Sequence, residues 1–170
     1  MTGYVALLRA VNVGGRQLKM DDLKRIAAGL GLACPRTYIA SGNLLFQSDK
    51  SEAALKSMLE SAIADHMSAN VAVMIRDAGE LAETVKGTPF ADEPSNRVVA
   101  IFLDHEPAKD AREEARNVDD ERMALGSREI YVHYPSGQGR SRLVIREASK
   151  GTARNMNTIA KLVELARETP

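Results

Sequence analysis

In the first half of the chain, apolar stretches typical of strands alternate with apolar spacings typical of helices. Residues 4–13 form a near-continuous apolar stretch that predicts a strand, and the stretch breaks at Gly14-Gly15. The apolar positions that follow are Leu23, Ile26, Ala27 and Leu30. Their i, i+3, i+4, i+7 spacing predicts a helix that Asp21 caps and Gly31 ends.

Two extended segments and a second helix come next. Residues 36–40 and 44–47 predict strands, with turn residues at 41–43 between them. Ser51 is then placed to cap the most regular helical pattern of the chain. Its apolar positions are Leu55, Met58, Leu59, Ala62, Ile63 and Met67. A strand over 71–76 completes the order β-α-β-β-α-β, which is the ferredoxin-like, split βαβ arrangement.

The middle of the chain predicts a boundary between two halves. A short helix over about 78–86 leads into residues 87–96, which are rich in proline and polar side chains. We therefore predict a ferredoxin-like N-terminal half over 1–86, a linker at 87–96 and a C-terminal half over 97–170.

The second half repeats the element order in part. Residues 97–103 are continuously apolar, which is typical of a central strand covered on both faces. A helix with a thin alanine stripe is predicted over 107–117. Residues 121–125 and 129–134 predict a hairpin around Gly126-Ser127.

The end of the chain predicts helices without a fourth strand. One helix contains Leu143, Val144 and Ala148, and a last helix is capped by Asn155 or Asn157. The predicted fold class is therefore α+β, with two ferredoxin-like halves, antiparallel sheets and an extra C-terminal helix.

Composition favours a cytoplasmic globular protein. The single cysteine, Cys34, excludes an intramolecular disulfide and a cysteine-rich metal site. No signal-peptide pattern precedes Tyr4, and no apolar run approaches the roughly 20 residues that span a bilayer. We expect a cytoplasmic location and no membrane partner.

The overall charge does not favour nucleic acid as a partner. The chain has 23 basic and 23 acidic residues, and aromatics make up 4% of it. A local basic block over 128–154 holds six basic residues against two acidic ones, a pattern that fits either a solvated face or a basic pocket.

Three segments combine glycine or asparagine with arginine where a strand or helix begins or ends. The candidate ligand-binding residues are Asn12, Gly14, Gly15, Arg16, Ser41, Asn43, Arg140, Arg154, Asn155 and Asn157. Backbone N–H groups in glycine turns and at helix N-termini bind oxyanions, and an arginine beside them can hold a phosphate or carboxylate. Turn and cap chemistry accounts for the same residue types, so both interpretations stay open.

The sequence nominates no catalytic residue, metal or cofactor. His66, His105 and His133 are scattered, without metal-ligand spacing to Cys34 or to an acidic pair. Asp104-His105 follows a buried strand, but no general base can be assigned, and whether the protein is an enzyme is left open.

Three motifs resemble the DUF1697 family, a bacterial family of unknown function. They are residues 5–15 (VALLRAVNVGG), 36–43 (RTYIASGN) and 152–158 (TARNMNT). The resemblance implies paired ferredoxin-like subdomains and no established activity. This chain has Met156 where the family usually has tryptophan, and Ala10 where it usually has glycine.

Three functions remain as hypotheses. The first is a module that binds a small phosphate- or carboxylate-bearing ligand, such as a nucleotide, between the two halves. The second is an RNA-binding module, and the third is a purely structural or interaction domain. The sequence does not indicate the oligomeric state.

Overall fold

The computed structural model of the protein describes residues 1–168, so the last two residues of the predicted C-terminal half lie outside the described residues. The chain divides into two compact units. Unit 1 comprises residues 1–81 together with the chain from residue 162 onward, and unit 2 comprises Ala82–Lys161. The predicted domain limits at residues 86 and 97 stay a prediction.

Unit 1 contains the first ferredoxin-like sheet. Its strands are β1 (Thr2–Leu8), β2 (Ala33–Thr37), β3 (Asn43–Ser48) and β4 (Val73–Asp77). They form the order β2-β3-β1-β4 with antiparallel neighbours throughout. The connections are α1 (Met20–Gly29) and α2 (Glu52–Met67), and α3 (Ala78–Lys86) follows β4. This arrangement confirms the predicted split βαβ order.

The helices of unit 1 form because each presents an apolar stripe to the sheet. Leu55, Leu59 and Ile63 of α2 are fully buried in one cluster with Ala6 and Leu8 of β1. Burial of a leucine side chain is worth roughly 1.5–3 kcal/mol, so this stripe contributes strongly to the stability of unit 1.

Local signals at the helix ends are mostly confirmed. The Ser51 side chain accepts a hydrogen bond from the Ala54 N–H at 3.2 Å, as a helix cap does. Gly31 follows α1 with a left-handed φ of +78°. The prediction that Asp21 caps α1 is wrong: the helix begins at Met20 after Lys19, without a side-chain cap. Asp21 lies in the first turn, where its charge favours the helix dipole.

Unit 2 contains a second sheet with the same strand order. Its strands are β5 (Val98–Phe102), β6 (Arg122–Leu125), β7 (Glu129–His133) and β8 (Thr152–Asn155), arranged β6-β7-β5-β8. The prediction that no fourth strand follows is wrong, because β8 pairs with β5 and sets Arg154 opposite Ala100. The sequence of β8, TARN, has too few apolar side chains to predict a strand.

The two crossovers predicted as helices in unit 2 are irregular. Within residues 107–117, positions 109–114 form successive turns and no helix, because a stripe of alanines buries too little apolar surface to hold a helix against the sheet. Short 3-10 helices at Gln138–Arg140 and Arg146–Lys150 replace the second predicted helix. The C-terminal helix is present as α4 (Met156–Glu168).

Segment 87–96 makes side-chain contacts with the sheet of unit 2. Glu93 accepts a hydrogen bond from Arg122 at 2.9 Å, and its other oxygen lies 3.5 Å from His133 Nε2. The Phe90 ring lies 5.8 Å from the His133 ring, and the Arg122 guanidinium stands over it at 5.1 Å. These contacts hold the segment beside β6 and β7.

The central strands of both sheets are buried on both faces. All residues of β5 and β7 are buried, as are Val5 to Leu8 of β1. This confirms that β5 is doubly covered. Single-stranded RNA modules of this topology stack bases on an open sheet face, and these central strands do not offer one.

No helix within residues 1–168 combines the length and the apolar character needed to cross a bilayer.

Candidate functional site

Two loops of unit 1 meet at one end of its sheet. The first follows β1 and comprises residues 9–19, and the second joins β2 to β3 and comprises residues 38–42. Because β1 and β3 are antiparallel, both loops lie at the same end. Asn12 Nδ2 donates to the Ala40 carbonyl at 2.6 Å, and the Leu8 N–H donates to the Gly42 carbonyl at 2.9 Å. We call these two segments the loop pair.

Asn12 closes the first loop through its side chain. Its Nδ2 also donates to the Leu18 carbonyl at 3.0 Å, while its Oδ1 accepts the Leu18 N–H at 2.8 Å. The amide therefore satisfies backbone groups that a loop otherwise leaves unpaired. Asn12 shapes the loop pair from within.

Gly42 and Asn43 form the inner wall of the second loop. Gly42 has φ +93°, and a Cβ there would stand 2.6 Å from Val11 Cγ2 and 2.9 Å from Leu8 Cβ, so only glycine fits. Asn43 is fully buried, and its Nδ2 donates to the Tyr38 carbonyl at 2.8 Å and to Ser41 Oγ at 3.1 Å. Ser41 and Asn43 therefore set the course of this loop.

Gly14 and Gly15 form the exposed tip of the first loop. Their φ angles are +56° and +85°, and no atom lies within 4 Å of a Cβ built on either. The turn is closed by the Arg16 N–H, which donates to the Val13 carbonyl at 3.1 Å. Within residues 1–168, the N–H groups of the two glycines make no hydrogen bond. Both glycines are exposed, so solvent or an anion can reach this turn.

The loop pair is positively charged. It carries Arg9, Arg16 and Lys19, and residues 1–20 and 29–48 contain no aspartate or glutamate. Arg16 is half-buried, and one Nη donates to the Asn70 carbonyl. Its Nε is buried and makes no hydrogen bond with any residue of the described part of the chain.

Three non-glycine residues of the loop pair have a left-handed backbone conformation, as do Cys34, Ser68 and Asn117 elsewhere. Ala10, Asn12 and Ile39 have φ angles of +55°, +58° and +53°. A β-branched residue in the left-handed region is a real outlier, and such strain clusters at functional sites. Ile39 is nevertheless 48% exposed, and Val13 beside the glycine tip is 57% exposed. No local pattern predicts this conformation at Ile39, whereas the glycine that the family usually has in place of Ala10 is the residue type that adopts it most readily.

Arg154 lies inside the sheet of unit 2. It is 7% exposed on β8, and its Nη1 donates to Thr152 Oγ1 at 2.6 Å and to the Ala153 carbonyl at 2.9 Å. Burial lowers the pKa of the guanidinium to about 10, since a charged group is costly to desolvate. Asn155 caps α4 by accepting the Thr158 N–H at 2.9 Å, and Asn157 is exposed in the first turn.

Arg140 lines a shallow pocket of about 380 Å³ in unit 2. Asp119, Asp120 and Glu121 line the same pocket together with Arg142, so three acidic residues lie beside two arginines. Ser141 Oγ donates to Glu121 Oε1 at 2.6 Å, and this hydrogen bond lowers the pKa of that carboxyl.

The predicted site residues divide between the two units. Unit 1 brings together Asn12, Gly14, Gly15, Arg16, Ser41 and Asn43. Unit 2 contains Arg140, Arg154, Asn155 and Asn157. Convergence of all of them into one site stays a prediction.

Sequence reasoning missed a second buried arginine, Arg76 on β4. It is 1% exposed, and its Nη1 donates to the Ile75 carbonyl at 3.0 Å, which matches the bond from Arg154 to Ala153. The signal was an arginine followed by Asp77 or Asn155 directly before a helix, in both halves.

Comparison with known proteins addresses family and fold. A family model described as "Protein of unknown function (DUF1697)" matches residues 1–131. A conserved bacterial protein, SP0830 from Streptococcus pneumoniae, has a similar structure with a TM-score of 0.83 over 99% of both chains. Its 24% sequence identity makes this a likeness of fold alone. The search of curated proteins found no match.

Proposed function

The chain belongs to the DUF1697 family of unknown function, and from that premise we propose that it binds a small phosphate- or carboxylate-bearing ligand at the loop pair. The observation that carries this proposal is a pair of loops with three cationic residues, Arg9, Arg16 and Lys19, and no acidic residue of their own. Their exposed tip holds two glycines whose N–H groups make no hydrogen bond within residues 1–168. An oxyanion there would accept backbone hydrogen bonds and face no carboxylate of the loop pair.

The apolar side chains beside the cations narrow the ligand class. Val13 and Ile39 are large exposed hydrophobic residues on the same two loops. A ligand with an apolar or aromatic body attached to its anionic group would cover them, while inorganic phosphate would not. Nucleotides combine both features, and this is why they head the list of candidates.

RNA binding is the less favoured alternative. The central strands have both faces buried, and the net charge is zero, so neither stacking on the sheet nor long-range attraction supports it.

Thermal unfolding in low salt tests the proposal. The probes are AMP, glucose 6-phosphate, citrate and inorganic phosphate, and a probe at 100 times its dissociation constant adds about 2.7 kcal/mol of stability. We expect AMP to shift the transition most. Lys19→Gln should abolish most of the shift, because Lys19 is exposed and its side chain has no partner within residues 1–168.

Lys109→Gln is the matched control, since Lys109 is an exposed lysine of unit 2. It should leave every shift unchanged. Equal loss in both variants would mean general charge attraction, and no shift with any probe would refute anion binding at the loop pair.

A further inference from the structure

A second pocket of unit 2 has none of the candidate anion-binding residues in its lining. It has a volume of about 530 Å³, which is within the range of small-molecule sites. Residues 105–114, which follow β5, and residues 145–150, which precede β8, supply its lining. We call it the mixed-charge pocket.

The two lining segments are tied to each other and to the core. Both carboxylate oxygens of Glu147 accept the Ala108 N–H, at 3.0 and 3.1 Å. Ala111 and Ile145 line the pocket and are each 7% exposed, within the hydrophobic cluster beneath the sheet. The pocket therefore has an apolar base joined to the packed core of unit 2.

Apart from Glu147, the charged side chains of the pocket differ in sign between the two lining segments. The segment after β5 contributes Asp110 and Glu114, whereas the segment before β8 contributes Arg146 and Lys150. All four are exposed, and none of these side chains makes a hydrogen bond or an ion pair with any residue among 1–168. Opposite charges thus line one pocket without neutralising one another directly.

His105 adds an acceptor on the acidic segment. Its Nδ1 lies 2.9 Å from the Glu106 carbonyl oxygen. A carbonyl only accepts, so Nδ1 carries the proton of this bond, and Nε2 of the neutral ring keeps its lone pair. That lone pair can receive an N–H of a ligand.

We propose that the mixed-charge pocket binds a zwitterion with an apolar body, namely a short peptide or free amino acid with both termini uncapped. Its carboxylate would bind Arg146 and Lys150, its ammonium would bind Asp110 and Glu114, and its side chains would cover Ala111 and Ile145. A ligand of one charge sign would leave one set of side chains facing its own sign. This site is separate from the loop pair, and its ligand class is different.

The test compares three forms of one compound by isothermal titration in low salt. They are leucyl-leucine, its N-acetyl form and its C-terminal amide. The zwitterion should bind at least about tenfold more tightly than either blocked form, the effect expected from removing one charge-assisted contact.

Two variants assign the ends of the ligand. Arg146→Gln should weaken binding of the zwitterion and of the acetyl form, with no change for the amide. Glu114→Gln should weaken binding of the zwitterion and of the amide, with no change for the acetyl form. Lys109→Gln, on the same stretch of chain but outside the pocket lining, should change nothing.

Three outcomes would overturn the proposal: no binding of leucyl-leucine at millimolar concentration, equal affinity for all three forms, or equal effects of Arg146→Gln and Lys109→Gln. All three substitutions replace exposed side chains, and the denaturation curve of each variant checks that it remains folded. Anion binding at the loop pair is read through Lys19 with different probes, so either result can fail without the other.

Discussion

The two units of the chain build the same sheet with different crossovers. In unit 1, α1 and α2 cross the sheet, and Leu23, Leu55, Leu59 and Ile63 are fully buried. In unit 2, turns and 3-10 helices connect the strands, and the apolar residues that pack there include Ala111 and Ile145. The strand order is nevertheless identical. Strand pairing around an apolar central strand therefore specifies the order even where the crossover helices are absent.

The irregular crossovers of unit 2 are held by hydrogen bonds to carboxylate side chains, which we call tethers. Glu147 holds Ala108 on one crossover, and Glu121 binds the Asp119 N–H at 2.7 Å and Ser141 Oγ at 2.6 Å. A carboxylate also binds a backbone group in unit 1, where Glu60 of α2 accepts the Val73 N–H at 2.9 Å. The difference is that the crossovers of unit 1 add helices with fully buried leucines.

The junction after the fourth strand has matching contacts in the two units. Arg76 and Arg154 both donate from Nη1 to the carbonyl of the preceding residue. Asp77 and Asn155 then cap the following helices by accepting the N–H three residues on, at 2.8 and 2.9 Å. Both junctions therefore have a buried arginine and an Asx cap, although the crossovers of the two units differ.

The largest expected effect is a loss of stability on removing a buried side chain from a crossover of unit 1. Leu59→Ala should cost about 2–5 kcal/mol of unfolding free energy, because it leaves a cavity beneath α2. Ala111→Gly in unit 2 removes one methyl group and should cost roughly 1–2 kcal/mol. Urea denaturation of both variants measures the difference. Equal losses would contradict this prediction, because Leu59→Ala removes three carbon atoms and Ala111→Gly removes one.

The next effect tests the equivalence of the two buried arginines. Arg76→Met and Arg154→Met should each cost about 1–3 kcal/mol, because their carbonyl partners lose a donor without gaining water. Urea denaturation at neutral pH gives both values. A large loss in one variant and none in the other would show that only one junction depends on its arginine.

The smallest effect concerns the acid sensitivity of the tethers. The hydrogen bond from Ser141 holds the pKa of Glu121 below its ordinary value of 4.5. A lowered folded-state pKa stabilises the fold above pH 4.5, and this contribution is lost as the pH falls through the folded-state pKa. Glu121→Gln should cost about 1 kcal/mol at neutral pH.

The same prediction is checked by how the stability of the two proteins changes at acidic pH. Free energies of unfolding between about pH 6 and about pH 3 should fall less steeply in Glu121→Gln than in the parent chain. Parallel curves would show that Glu121 does not contribute to the acid sensitivity.

Much of the fold was predictable because its signals are local. The cap at Ser51, the cap at Asn155 and the left-handed Gly31 all follow from side chains within four residues of the feature they control. The periodic leucines of α2 and the apolar run of β5 likewise specify their own elements. In unit 2, the thin alanine stripe suggested a helix that tertiary packing does not sustain.

The sequence by itself determined the element order of unit 1, the first three strands of unit 2 and the residue types available for anion binding. The tertiary structure decided how those residues are used, since Asn12 reaches Ala40 28 residues away and Arg154 enters β8 opposite Ala100. It also placed Ile39 in a left-handed conformation and gathered Asp110, Glu114, Arg146 and Lys150 around one pocket. Contacts between residues far apart in sequence form only when the folded chain closes the loops between them, so no local sequence pattern predicts them.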